Sequence, residues 1–138
     1  MNGATEPREV VVGYYREVWE RRQPNLIPQF FSPNYMNHAG SRGVLMGPDG
    51  IRKNYDGLIA AFPDIAMTLD DVFGEGDKVV VRYTMRGTHS GPFQGVAATG
   101  KTIEVPGIGI YRVAGGKIDA SWVVRDSLTL LKQIGAAT

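Results

Sequence analysis

The stretch KIDASWVVRD, residues 117–126, decides how the rest of the chain is interpreted. Its even positions are apolar until the last one, and its odd positions are mostly polar, which is typical of a β-strand with one buried face. Side chains alternate between the two faces of a strand, so the face that buries Trp122 also carries Asp126. The pattern predicts an inward-facing carboxylate at the end of an apolar row, with Arg125 pointing the other way.

Length and composition limit the class of protein. The chain has 138 residues, which fits one domain over residues 1–138, and no cysteine, which excludes disulfides and thiolate nucleophiles. A net charge of +1 gives no basic face for nucleic acid. No apolar run approaches the roughly 20 residues that span a bilayer, and no secretory signal is visible. We therefore expect a cytoplasmic protein with no nucleic-acid and no membrane partner.

The first half of the chain has the periodicity of helices. Apolar residues at helical spacing predict an amphipathic helix over residues 7–22. A short second helix is expected over 26–31, ended by Pro33. A third helix opens at Gly47 and ends before Pro63.

The second half has the alternation of strands, which we expect over 67–73, 78–89, 101–113 and 117–125. The row that carries the apolar residues of the second strand ends at His89. The third strand is apolar on both faces, which favours a central strand or one covered by a partner subunit, and Pro106-Gly107 suggests a bulge or a bend in it. The loop 90–100 is either a mobile lid or a simple connection, and a closing helical turn ends at Gly135. Helices followed by strands predict an α+β fold with the helices on one face of the sheet.

Several short motifs together resemble the SnoaL-like polyketide cyclase (ester cyclase) family of the NTF2-like superfamily. They are Tyr35-Met36-Asn37-His38, Ala61-Phe62-Pro63-Asp64, Gly76-Asp77-Lys78-Val79, Gly87-Thr88-His89-Ser90-Gly91, Gly116-Lys117-Ile118 and Trp122…Asp126…Leu131-Lys132-Gln133-Ile134-Gly135. The resemblance implies a conical barrel. In it, three N-terminal helices pack against a strongly bent antiparallel sheet around a deep apolar pocket, followed by a short C-terminal helix.

The resemblance also implies a chemistry. Cyclases of this family close a ring by intramolecular aldol condensation without a metal or a cofactor. Their catalytic aspartate stands nine residues before the glycine of the last motif, which is Asp126 here, and the histidine of the Gly-x-His-x-Gly loop corresponds to His89. The chain departs from the cyclases at Gly109, where they carry a second histidine, so one polar contact to the substrate is missing.

The residues themselves leave two interpretations of Asp126 open. A carboxylate beside Trp122 and Val124 should be poorly solvated, which raises its pKa and suits it to take a proton from carbon beside a carbonyl. His89 could then orient Asp126 or hydrogen-bond the enolate. Alternatively Asp126 caps the closing helix, although Thr129 stands where a capping box has Glu or Gln.

Other candidates are weaker. Asn37 and His38 are expected at the pocket mouth, and Tyr14, Tyr83 and Trp122 are candidate substrate contacts, although each could equally be ordinary core or surface. His38, His89 and Asp126 have the ligand types of an iron or zinc site. They are far apart in sequence without a local ligand pair, so no metal site is predicted.

Three functions remain open at this stage. The first is a cofactor-free enzyme that acts by proton transfer (aldol cyclisation, isomerisation or hydration) on a small, apolar, carbonyl-bearing molecule. The second is a non-catalytic protein that binds such a molecule, and the third is a cofactor-free hydroxylase. A homodimer is expected in each case.

Overall fold

The computed structural model describes residues 6–39 and 43–137. The helices are α1 (Pro7–Tyr14), α2 (Ile27–Phe30), α3 (Gly47–Ala61) and α4 (Ser127–Gln133), with a π-helix at Tyr15–Glu20 and a 3₁₀ turn at Pro24–Leu26. The strands are β1 (Phe31–Asn37), β2 (Val44–Leu45), β3 (Ala66–Glu75), β4 (Lys78–Thr88), β5 (Thr102–Ala114) and β6 (Lys117–Arg125). No helix among the described residues is both long and apolar enough to cross a membrane.

The α+β class is confirmed: three N-terminal helices pack against a curved six-stranded sheet, and a short helix closes the chain. The sheet order is β2-β1-β6-β5-β4-β3. The strands from β3 to β6 are antiparallel neighbours, whereas β1 runs parallel to β6. Strand β5 is therefore central, as its apolar sequence predicted.

Two local predictions for the first half need correction. The first helix changes after Tyr14 into a π-helix, a wider turn that is frequent at functional sites. The expected stop at Pro33 is wrong, because α2 already ends at Phe30 and Pro33 lies inside β1. Periodicity missed β1 because its seven residues mix polar and aromatic types instead of alternating.

A single extra residue in β6 overturns the predicted direction of the opening stretch. Arg112 of β5 pairs with Ala120, but the next residue, Val113, pairs with Ile118, so Asp119 is a bulge. A bulge inserts one residue and reverses the alternation beyond it. After Asp119 the odd positions face inward and the even positions face outward. By contrast, the bulge expected at Pro106-Gly107 is absent, because β4 and β5 pair there without a shift.

The loop 90–100 is anchored at both ends. The backbone N–H groups of Ser90 and Gly91 donate to the carbonyl of Ala61 at the end of α3. Gly100 donates to the carbonyl of His89, and His89 donates to Lys101. None of the residues 90–100 lines the inner cavity described below, so the structure favours a connection over a lid.

Candidate active site

A cavity of about 340 Å³ lies between the helices and the concave face of the sheet. Its deepest lining residues are aromatic and buried: Tyr14, Tyr15, Trp19, Phe31, Tyr35, Tyr83 and Tyr111. The exposed lining residues Ala39, Asn54 and Ser127 mark its opening. The volume is at the small end of the roughly 300–1,000 Å³ that ligand pockets occupy.

Tyrosine hydroxyls supply most of the polar groups inside the cavity. The Tyr15 and Tyr111 hydroxyls are 2.5 Å apart, and the Tyr35 hydroxyl is 2.6 Å from Oγ of Ser121. Burial raises the pKa of Tyr15, Tyr111 and Tyr35, so these phenols are neutral at physiological pH. Each pair uses one hydroxyl hydrogen for its internal bond and keeps one that can be donated to a ligand.

Two inward positions of β5, on the sheet floor of the cavity, are glycines, which leaves room above this strand for side chains of the neighbouring strands. A Cβ at Gly107 would lie 2.5 Å from the Tyr83 hydroxyl, and one at Gly109 would lie 2.7 Å from Cγ2 of Val123. Side chains from β4 and β6 therefore cross over β5. Val123 occupies the space next to Gly109, the position at which the cyclases carry a histidine.

Among the described residues, Arg125 is the charged group that lines this cavity. It lies on the inward face of β6, half-buried, and its Nη1 is 3.5 Å from Sδ of the buried Met85 on β4. Among the described residues no carboxylate lies within 4.0 Å of it. The expectation that Arg125 points away from the pocket is wrong, because the bulge at Asp119 turns it inward.

Asp126 does not point into the cavity. Its carboxylate is exposed and caps α4: Oδ1 accepts from the Thr129 backbone N–H at 3.0 Å, and Oδ2 accepts from Thr129 Oγ1 at 2.7 Å. The Thr129 hydroxyl and then its backbone N–H hold the pKa of Asp126 below the ordinary value. The predicted inward direction and raised pKa are both wrong, since the residue lies on the outward side of the bulged strand and is solvated.

His89 is fully buried, as its row predicted, but it lies outside the cavity. Its Nδ1 is 2.9 Å from Oγ1 of Thr99 and accepts from the Thr99 backbone N–H at 3.3 Å. Its Nε2 has no hydrogen-bond partner in the described part of the chain. The structure therefore does not bring His89 and Asp126 together at one site.

The remaining candidates divide between the two faces of the sheet. Tyr14, Tyr83 and Asn37 line the cavity. His38 and Trp122 do not: their rings stack at 4.8 Å on the outer face. Trp122 was expected inside and is outside for the same reason as Asp126. Among residues 6–39 and 43–137, no three acidic or imidazole groups are close enough to hold a metal ion.

A second groove, of about 560 Å³, is open to solvent where β4 ends and β5 begins, next to Gln133 of α4. Its charged groups are already paired. Arg86 contacts Glu104 at 2.7 Å, and Asp64 accepts two bonds from Thr88 at 2.7 Å each. The groove therefore offers less to a ligand than the cavity with its unpaired Arg125.

Comparison with known proteins identifies the family. A match to SnoaL-like polyketide cyclases covers residues 9–134. The chain belongs to the SnoaL-like polyketide cyclase family. No curated protein matches it.

Solved structures of the same fold agree with this assignment to the SnoaL-like family. IdmH, a proposed polyketide cyclase from Streptomyces antibioticus, is 29% identical with a TM-score of 0.81, over 94% of this chain and 99% of that one. AclR, a proposed hydroxylase from Streptomyces galilaeus, is 25% identical with a TM-score of 0.85, over 97% and 88%. A SnoaL-like protein from Jannaschia, at 22% identity and a TM-score of 0.85 over 100% and 98%, supports the fold.

Sequence reasoning missed several residues of this SnoaL-like cavity. Arg125 was excluded because strict alternation along β6 placed it on the outer face. Tyr35, Tyr111 and Ser121 were not singled out. One signal could have found part of the site: Gly107 and Gly109 alternate in a strand and so leave room on one face for side chains of both neighbouring strands.

Proposed function

We propose that the protein is a cofactor-independent, cyclase-type enzyme that binds a small, apolar, carbonyl-bearing molecule in the inner cavity. One observation supports this most directly: the polar groups of the described lining are hydroxyls, two asparagine amides, one guanidinium and the indole N–H of Trp19. In the described residues it contains neither an acidic nor an imidazole side chain. Such a lining is rich in donors and suits a ligand whose polar atoms are acceptors, as carbonyl oxygens are.

The donors would stabilise the charge that a proton transfer creates. A base removes the proton from the carbon beside a carbonyl, and the electron pair moves onto the carbonyl oxygen as an enolate. The enolate carbon attacks a second carbonyl of the same molecule, and the resulting alkoxide takes a proton back. Neutral phenols aimed at the enolate oxygen stabilise it in the transition state.

Asp126 is the base that we propose for this reaction. Its neighbours on both sides, Arg125 and Ser127, line the cavity, so its carboxylate stands beside the opening. Its lowered pKa keeps it ionised at neutral pH, as a base must be, although it makes the carboxylate a weaker base. Reaching a ligand requires the side chain to rotate and give up its two bonds to Thr129.

A matched pair of variants tests the role of Asp126. Asparagine caps helices about as well as aspartate, whereas alanine does not. Asp126→Asn should therefore leave the melting temperature unchanged and slow deuterium exchange beside the ketone of propiophenone or benzoylpropanoate in heavy water about 100-fold or more. Asp126→Ala should lose both exchange and stability. Unchanged exchange in the asparagine variant would exclude Asp126 as the base.

A non-catalytic binding protein is the second candidate. It is favoured by the same lining, because no acid or imidazole among the described residues points into the cavity. This function predicts that aryl ketones bind while the wild-type protein accelerates no exchange over buffer. Exchange that depends on an intact cavity would reject it.

We also propose a homodimer formed through the outer face of the sheet. Four exposed apolar side chains from β3, β5 and β6 lie on this face: Phe73, Ile108, Ile110 and Val124. Such a patch commonly marks an interface, and two identical patches can pair across a two-fold axis. Val124→Glu should give a monomeric mass in analytical ultracentrifugation, whereas Leu128→Glu, on α4, should not. A monomeric wild-type protein at micromolar concentration would refute the dimer.

A further inference from the structure

Arg125 and Tyr83 approach each other across the floor of the cavity. The register pairs Tyr83 with Gly107 and Gly107 with Arg125, so the two residues face each other across one strand. The Tyr83 hydroxyl lies over Gly107, close to where a Cβ would be. Arg125 crosses the same strand in the other direction and reaches Met85. A hydroxyl and a guanidinium therefore stand side by side on the same wall.

The Arg125 guanidinium and the Tyr83 hydroxyl are hydrogen-bond donors, and neither has a negatively charged acceptor among the described residues. Arginine keeps its charge at any physiological pH, and the Met85 sulfur is only a weak acceptor. Burial raises the pKa of Tyr83, with the charge of Arg125 acting in the opposite direction, so the phenol stays protonated. The half-buried guanidinium of Arg125, which has no counter-ion among the described residues, has lost part of its hydration, and an anionic oxygen would restore that loss.

The small volume limits what else the ligand can carry. At about 340 Å³ the cavity is at the small end of ligand pockets, which favours a compact body against the deep aromatic side chains over an extended polycyclic one. Arg125 is half-buried and close to the exposed Ser127, so an anionic end would sit near the opening and the apolar end would lie deep.

We propose that the ligand is a small carboxylic acid of one or two rings, with its carboxylate bound by Arg125 and Tyr83. This rests on the proposed function only in taking the inner cavity as the place where the ligand binds. A permanent carboxylate, unlike an enolate that exists only during the reaction, partners Arg125 in the bound ground state as well. It also leaves the hydroxyl pairs deeper in the cavity for the carbonyl oxygen.

The binding of two matched probes tests whether the cavity prefers a ligand with a carboxylate. Benzoylpropanoate and benzoylpropanamide have nearly the same shape and differ in charge. The chain has two tryptophans, and Trp19 lines the cavity while Trp122 lies outside it. In a Trp122→Phe background the fluorescence of Trp19 therefore reports occupation of the cavity. We expect the acid to bind about tenfold or more tightly than the amide.

Variants in the same background locate the effect. Arg125→Gln should bring the acid and amide affinities together, and Tyr83→Phe should reduce the preference for the acid in part. Arg112→Gln is the matched control, because Arg112 lies on the outer face, paired with Asp119 at 2.8 Å. It should leave the preference unchanged. Thermal melts of each variant establish that it is folded.

Each outcome decides the proposal. Equal affinity for acid and amide, or a preference that survives Arg125→Gln, overturns the proposal that Arg125 binds a carboxylate of the ligand. The cavity would remain the binding site. A pyrenoylpropanoate that binds as tightly as benzoylpropanoate overturns the size limit. If no probe changes Trp19 fluorescence, the cavity is not the binding site, and the proposed function fails together with this inference.

Discussion

The two faces of one sheet carry opposite chemistry in this protein. On the concave face, β4, β5 and β6 present phenols, two glycines and a guanidinium with no ion-pair partner in the described part of the chain, all around a cavity. On the convex face, the same strands present Ile108, Ile110 and Val124 to solvent, together with the Trp122–His38 stack. The comparison shows that residues next to each other, such as Arg125 and Asp126, can point to opposite faces of the sheet.

The contrast between the faces depends on the register of β6 beyond the bulge at Asp119. Deleting Asp119 would join the pairs Arg112–Ala120 and Val113–Ile118 into a regular ladder and leave Arg125 inward. Inserting one alanine between Trp122 and Val123 would instead turn Arg125 outward and Asp126 inward. We expect the insertion to cost more than about 4 kcal/mol in the free energy of unfolding, because the side chains beyond it would change face. Urea denaturation followed by circular dichroism measures this. Asp119→Asn, which removes only the half-exposed pair with Arg112, should cost less than about 1 kcal/mol. Similar losses in the insertion and in Asp119→Asn would show that the register beyond the bulge does not set the faces.

His89 is buried but does not line the cavity, so its replacement should affect stability and not ligand binding. His89→Ala removes a fully buried ring that is bonded to Thr99, and we expect it to cost roughly 2–4 kcal/mol. Chemical denaturation gives the cost, and Trp19 fluorescence gives the affinity for benzoylpropanoate. A catalytic histidine would behave in the opposite way, with folding intact and deuterium exchange lost.

Filling the concave floor should damage the site directly. Gly107→Ala places a Cβ against the Tyr83 hydroxyl and should cost about 1–3 kcal/mol by overpacking, with weaker ligand binding. Gly57→Ala on α3 is the control, because a Cβ there meets nothing within 4 Å. Removing that helix glycine should stabilise the protein by roughly 0.5–1 kcal/mol. If both variants behave alike, Tyr83 does not depend on the space that the missing Cβ of Gly107 leaves.

The smallest effect concerns the cap on the solvent side. The folded-state pKa of Asp126 lies below its unfolded value of about 3.9, so its contribution to stability is present above that value. It is lost as the pH falls through the folded pKa. The wild-type protein should therefore lose more stability than Asp126→Asn between about pH 5 and about pH 2. Parallel acid curves from thermal melts would contradict the cap.

Much of the fold could be predicted from local patterns. The helical stripe around Tyr14 and Trp19, the strand face of Val79 and Val81, and the end of the last helix at Gly135 are all confirmed. These features depend on residues near each other in sequence, where periodicity and turn chemistry act. The motif order that resembles the SnoaL-like family also held, because it is a property of the chain itself.

The direction of each side chain around the candidate site was decided by the pairing of strands, not by local patterns. Composition and spacing placed a carboxylate and an arginine at the end of β6, and both are there. Which of them faces the cavity depends on how β6 pairs with β5, where hydrogen bonds between distant residues accommodate Asp119 as an extra residue. A bulge leaves almost no trace in local alternation, so the pairing of the folded sheet, and not the strand pattern, turned Arg125 toward the cavity and Asp126 toward solvent.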